Sequence, residues 1–289
     1  MENTVDLHIH TNASDGSDSP ALLLRKLKEA GITTFSITDH DTVTGALEME
    51  NIVTPEFCFI RGIEFSCETP AGKCHILGYG FDPQDSLFLA ALEEGAALRR
   101  EKLLSRLRYL EETLSVTFTE AEKTWLNSLK SPGKPHFGQL LVDRGIASTI
   151  TEAIRKYINP HKPRRDRIDA RTAISAILHA GGLPIWAHPL GGEGEKRLSV
   201  EDFQTQLAVL MDAGIRGLEC FYSRYSSSDV EFLTAQAESH NLLISGGSDY
   251  HGTNKQDLPL GRLCAEDISF SSDALIPLVS SCLFRLCDV

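Results

Sequence analysis

Histidines and carboxylates close strand-like segments along the whole length of this chain, and a barrel is the fold that brings strand ends together. The first case is Asp6-Leu7-His8-Ile9-His10, where a short apolar run ends in two histidines. Residues i and i+2 of a strand share a face, so His8 and His10 can reach one metal ion from adjacent positions. Asp15, His40, Glu64, His75, His188, Asp249 and His251 follow, each read as the end of its own strand-like segment. A single His-x-His is a weak signal. Ligand-type residues repeated at strand ends through the chain are a strong one.

The segments alternate with helices. Thr4 to His10 is a strand, and Ser19-Pro20 starts a helix that Gly31 stops. Ile32 to Thr38 is the second strand, running into Asp39-His40-Asp41, with a short helix around Val43 to Asn51. Phe57 to Ile63 is a strand ending at Glu64, and Lys73 to Gly80 contains His75. From about Asp85 to Asp166 the pattern is helical, beginning with a long amphipathic helix that carries Leu92, Leu98, Leu103 and Leu107. Alternation resumes with strands Leu183 to Ala187, Arg216 to Phe221 and Leu242 to Ser245. About seven strands, most followed by helices, predict a parallel barrel with its site at the carboxyl ends of the strands. The uninterrupted helical block predicts an inserted cap over that site. Residues 1–84 and 167–289 would form the barrel, and 85–166 the cap.

Composition narrows the function classes. A chain of 289 residues with 42% hydrophobic and 24% charged content suits one barrel with an insertion. No run approaches the roughly 20 apolar residues of a membrane span, and the start lacks a signal-peptide pattern. The seven cysteines are odd in number and form no Cys-x-x-Cys pair, so they read as small buried hydrophobes in a reducing cytoplasm. A formal charge of −12 argues against a broad nucleic-acid-binding surface, though a nucleotide or strand end can still occupy a local pocket.

Imidazole and carboxylate together suit Mn, Zn or Fe, and nine candidates are too many for one tetrahedral ion. Two or three divalent ions, some bridged by a carboxylate, would use the set, lower the pKa of bound water and hold a bridging hydroxide. Taken singly, each residue has a plainer reading. Asp39-His40-Asp41 can cap a helix, Ser14-Asp15-Gly16 can be a turn, and Gly246-Gly247-Ser248 can be a glycine-rich turn. Their convergence in a barrel is what sets the joint reading apart. His161, His179 and His240 stand outside the pattern and read as ordinary surface or core histidines.

These motifs, with Gly62-Ile63-Glu64, His75-Ile76-Leu77-Gly78-Tyr79, Ala187-His188-Pro189 and Gly247-Ser248-Asp249-Tyr250-His251, resemble the PHP (polymerase and histidinol phosphatase) metal-dependent phosphoesterases from Asp6 to His251. The cap motifs Lys134-Pro135-His136-Phe137, Asp143-Arg144-Gly145 and Lys156-Tyr157…Lys162-Pro163 resemble the branch that removes the 3′-phosphate of nucleoside 3′,5′-bisphosphates or trims RNA from its 5′ end. The resemblance implies a distorted seven-stranded (β/α) barrel with a three-metal site. It implies His8, His10, Glu64 and Asp249 on one ion, Glu64, His75 and His188 on a second, and Asp15, His40 and His251 on a third. Asp15 stands where other members carry His, a change expected to favour Mn²⁺. Lys134 stands where the branch usually has Arg, which keeps the charge and loses the bidentate fork. Arg164-Arg165-Asp166-Arg167 replaces an aromatic-aliphatic pair; it reads as a solvated loop or as cationic reach toward a second phosphate.

The expected function is therefore a cytoplasmic phosphomonoesterase acting on a small nucleotide by in-line attack of a metal-bridging hydroxide. Lys134, His136 and Lys162 would orient the phosphates, and Asp39 would stand behind a ligand histidine and orient it. No side chain is singled out as the proton donor. The alternatives are a 5′-3′ exoribonuclease on short 5′-phosphorylated RNA, an amino-acid phosphate hydrolase, and a non-catalytic metal-binding scaffold.

Overall fold

The computed structural model of the protein describes residues 4–129, 132–161, 167–192, 196–266 and 272–286. Its strands are β1 (Val5–Ile9), β2 (Thr34–Ile37), β3 (Cys58–Thr69), β4 (Gly72–Tyr79), β5 (Ile168–Asp169), β6 (Leu183–Ala187), β7 (Gly217–Tyr222) and β8 (Leu243–Gly247). Seven of them form one curved sheet in the order β1-β2-β3-β4-β6-β7-β8, and β5 lies beside the end of β3. The segment after β8 returns to the first strand. Asp249 N donates to His8 O at 2.8 Å, His10 N donates to Tyr250 O at 2.9 Å, and Ile9 bridges Tyr250 in parallel. The sheet is thus a nearly closed seven-stranded barrel.

One expectation is corrected. The barrel is not all-parallel, because β4 runs antiparallel to both β3 and β6. Thr69 pairs with Gly72, leaving only Pro70 and Ala71 between the strands. A parallel neighbour needs a crossover of a dozen or more residues, whereas two residues make a hairpin. Strand β3 is also longer than its apolar run, so Glu64 and His75 lie within strands and not at their ends.

The helices follow from local chemistry. In α1 (Pro20–Glu29), Ser19 accepts from Leu22 N, Pro20 sits in the first turn, and Leu23 and Leu27 bury one face. Gly31 stops it at φ 71°. Next come α2 (Thr44–Glu50), the 29-residue α3 (Ser86–Leu114), α4 (Glu120–Ser128), α5 (Lys134–Asp143) and the short α6 (Ile150–Ala153). The periodicity does not separate α4 from its neighbours, although Thr119 and Glu122 form a capping box at its start. A single π-helical turn, Ile154–Ile158, follows α6.

The core divides along α3. Phe88, Ala91 and Leu98 pack into the barrel cluster with Phe65, Ile76 and Ile174. Further on, Leu103, Leu107 and Leu110 pack instead with Phe118, Phe137 and Leu141 in a second cluster. Fully burying each such side chain contributes about 1.5–3 kcal/mol, so the helical segment has apolar support of its own. Barrel helices α7 (Ala170–His179), α8 (Val200–Ala213), α9 (Ser227–Ser239) and α10 (Ile276–Leu286) complete the outer layer. Among the described residues, no helix is long and apolar enough to cross a membrane.

Candidate metal centre

All nine predicted side chains meet at one mouth of the barrel. His8 and His10 lie fully buried with their Nε2 atoms 3.1 Å apart. Asp249, carried just past β8, places Oδ1 3.6 Å from His8 Nε2 and 3.3 Å from His10 Nε2. Asp249 has φ 56° and His188 φ 30°, while Asp41, next to His40, has φ 51°. Left-handed backbone at non-glycine residues is strained, and here it clusters where the side chains are aimed.

Glu64 is the centre of the group. Its Oε2 lies 3.3 Å from His8 Nε2, 3.2 Å from His10 Nε2 and 3.1 Å from His40 Nδ1. Its Oε1 lies 2.7 Å from His75 Nδ1 and 3.1 Å from His188 Nε2. The hairpin explains the first of these. Ser66 pairs with His75 and Glu64 with Leu77, which makes Glu64 and His75 diagonal neighbours on one face. His188 directly follows Ala187, the β6 partner of His75.

Asp15 joins from a loop and not from a strand end. Its carboxylate lies 3.2 Å from His251 Nε2, 3.8 Å from His10 Nδ1 and 3.9 Å from His40 Nε2. Asp39, expected behind a ligand histidine, instead fastens this loop. It accepts from Thr11 N at 2.8 Å, Thr11 Oγ1 at 2.7 Å and Ser14 Oγ at 2.5 Å.

Three sets bring their ligand atoms within 4.8 Å of one another: His8, His10, Glu64 and Asp249; His10, Asp15, His40 and His251; and His40, Glu64 and His75. The first is the set the resemblance implies. The second adds His10 to the implied three. In the last, His40 stands in the implied place of His188, whose ring centre is 5.0 Å from that of His75.

The cluster is built for cations. Buried ring nitrogens His10 Nδ1, His40 Nδ1 and His251 Nε2, together with Glu64 Oε2, make no hydrogen bond although they crowd together. Lone pairs that converge without hydrogen-bond geometry suit divalent metal ions. Burial pushes His40, His75 and His251 down, toward the neutral form that ligates metals. Burial would raise the carboxyls of Asp15, Glu64 and Asp249, yet neighbouring histidines, and Lys255 beside Asp249, hold them well below the carboxylate range. Burial alone would also lower His10, but the carboxylates of Asp249 and Glu64 beside it push it up to about 9.

Several supporting residues escape a search for ligand spacing. Glu219, fully buried on β7, accepts from His8 Nδ1 at 2.8 Å and from His188 N at 2.7 Å. The available signal was a lone carboxylate in the apolar run Leu218-Glu219-Cys220-Phe221. Asp249 Oδ2 accepts from Tyr222 Oη at 3.2 Å and from Lys255 Nζ at 3.1 Å. Arg99 of α3 donates through Nε to Asp41 Oδ2 at 2.9 Å and through Nη2 to Ser66 Oγ at 2.9 Å, which ties the helical segment to the His40 turn.

A cleft of about 440 Å³ opens beside His75 and His188, between the helical segment and the barrel. Lys73, Lys102, Arg106, Lys134, Arg167 and Lys196 line it, and none of its described lining residues is a carboxylate. Lys134, expected to orient the phosphates, is among these lining residues. His136 is not among the lining residues; its Nδ1 accepts from Gly133 N at 2.9 Å and so caps α5, and its ring meets Trp125 edge-on. Lys162 and Arg164-Arg165-Asp166 lie outside the described residues, whereas Arg167 lines the cleft. His161, read from sequence as an ordinary surface or core histidine, also lines it.

Comparison with known proteins agrees with this architecture. The PHP domain model matches residues 6–160, more than half of the chain. A 3′,5′-nucleoside bisphosphate phosphatase of Chromobacterium violaceum is 28% identical over 270 residues, covering 89% of this chain and 90% of that protein. A 5′-3′ exoribonuclease of Haemophilus influenzae is 29% identical over 260 residues, covering 87% and 91%. The solved structure of an amidohydrolase from Chromobacterium violaceum, with bound sulfate and no metal, superposes with a TM-score of 0.82 at 24% identity over 98% of this chain and 96% of that one, which shows a shared fold. The chain belongs to the PHP domain family.

Proposed function

We propose that the protein is a metal-dependent phosphomonoesterase that removes the 3′-phosphate from nucleoside 3′,5′-bisphosphates. The observation that carries the substrate class is the cleft: six cations and no carboxylate among its described lining residues, in a chain of net charge −12, ending on His75 and His188. Such local concentration of positive charge suits a ligand with more than one phosphate. The family membership and the phosphatase named among the relatives support the reaction class.

His8, His10, Asp15, His40, Glu64, His75, His188, Asp249 and His251 would hold two or three divalent ions, with Glu64 shared between them. Six imidazoles would also accept Zn²⁺, and the oxygen donor at Asp15 shifts the preference toward Mn²⁺. When bound, the ions would lower the pKa of water and neutralise charge developing at phosphorus. The chain's own residues do the rest. Glu219 holds His8 in one tautomer, and Asp39 fixes the loop bearing Asp15. Lys134, with Lys102 and Arg106 from α3, would draw the phosphates against the His75 and His188 edge, and the helical segment acts as the cap that limits water there.

The exoribonuclease reading is the second, favoured by the second relative and by the same cationic lining. Phosphate release from adenosine 3′,5′-bisphosphate and mononucleotide release from a short 5′-phosphorylated RNA, both with Mn²⁺, separate the two. The proposal expects the larger kcat/KM for the bisphosphate. Undiminished activity in His8→Ala or Glu64→Ala, or no phosphate release with any divalent ion, would overturn it.

A further inference from the structure

We infer that Asn159 and His161 form a nucleobase site in the cleft, so that the base as well as the phosphates selects the substrate. The inference rests on the nucleotide reading above and adds residues that it does not use. The cleft has two characters. Its cations suit phosphate, but Asn159, His161, Trp186 and Leu198 also line it and carry no net charge when the imidazole is neutral.

His161 is held like a platform. Ser105 Oγ lies 2.7 Å from its Nε2, and Tyr109 stacks on the ring with centres 4.8 Å apart and planes 23° from parallel. Ser105 and Tyr109 are four residues apart on α3, so one helix face grips the ring at its edge and its back. Tyr109 does not line the cleft, so it supports the imidazole from behind. A ring locked in this way loses little freedom when a base stacks on it.

Asn159 supplies the polar handle. The π-helical turn ends on it, with Asn159 N donating to Ile154 O at 2.8 Å. One inserted residue in a helix re-aims the positions that follow, which is why such turns recur at binding sites. The side-chain Oδ1 is buried and has no hydrogen-bond partner. An acceptor in that state favours a ligand that brings an N–H to it. The amino group of adenine does so, and an asparagine amide can pair with both N6 and N7 of that base.

The test separates base from phosphate. Isothermal titration of the metal-free protein compares adenosine 3′,5′-bisphosphate with ribose 3,5-bisphosphate, which lacks the base. Wild type should bind the adenosine compound at least roughly tenfold more tightly. His161→Ala should erase most of that difference, His161→Phe should keep the stacking part, and Asn159→Ala should weaken the adenosine compound alone. With the Mn²⁺-loaded enzyme, His161→Ala should raise KM for adenosine 3′,5′-bisphosphate and leave kcat in place. Equal wild-type binding of the two compounds, or unchanged discrimination in folded His161→Ala, would overturn the base site. Loss of the phosphatase reading shows differently, as absence of phosphate release from either compound whatever their relative affinities.

Discussion

Glu219→Gln tests how far the centre depends on residues that touch no ion. The carboxylate is fully buried and accepts two hydrogen bonds, from the His8 ring at 2.8 Å and the His188 backbone at 2.7 Å. Glutamine keeps the volume and one acceptor oxygen, but its amide nitrogen then faces one of the two N–H groups. Leaving one buried donor unsatisfied costs about 1–3 kcal/mol of folding stability. The His8 ring also loses its anchor, and partners of this kind are typically worth about 10–100-fold in metal affinity. Mn²⁺ titration of the chelated protein should show a weakened site within that range, and urea unfolding should show the stability loss. Glu219→Ala should be worse on both counts, since it leaves both donors unpaired. Wild-type metal affinity in Glu219→Gln would refute the claim that Glu219 sets the His8 tautomer.

Arg99→Met leaves Asp41 buried without its partner, and losing one side of a buried pair costs about 3–5 kcal/mol, readable as a lower urea midpoint. The metal-free protein should become less stable as pH rises from about 6.5 to 9. His10 is raised to about 9 and His8 lies well above its usual value, so the stability of their charged forms is complete below the unfolded value and lost on passing the folded one. Metal binding requires the deprotonated rings, so affinity should instead rise over the same interval; melting curves with chelator and with Mn²⁺ from pH 6 to 10 check both trends. Lys134→Met should raise KM for a bisphosphate and flatten its salt dependence, with little change in melting temperature, since the residue sits at the exposed start of α5.

The nine converging side chains were legible because each lies in a short motif whose period places it on one face or in one turn. The alternating pattern likewise announced the seven barrel strands and the run of helices between β4 and β5. Strand direction was not legible from strand count. It turned on Pro70 and Ala71, which leave no room for a crossover between Thr69 and Gly72. Glu219 and Arg99 were hidden for another reason. Their partners lie 211 and 58 positions away, so no local spacing connects them. Asp39 was close enough in sequence to see, but its choice between a histidine ring and the hydroxyls of Thr11 and Ser14 is made by loop geometry alone.

The hydrogen bonds that join Asp249 and Tyr250 to His8 and His10 also set a timetable. The two histidines are made first and their closing partners about 240 residues later, roughly 10–50 s at usual rates of synthesis. Until Asp249 and His251 are made, a growing chain can offer a passing cation only the other seven residues, without the two that complete the His8 and Asp15 sets. The complete cage appears only when β8 docks on β1. Metal retention is therefore a report on the finished chain, and a product cut short before Asp249 should leave the ribosome without the means to keep its ions.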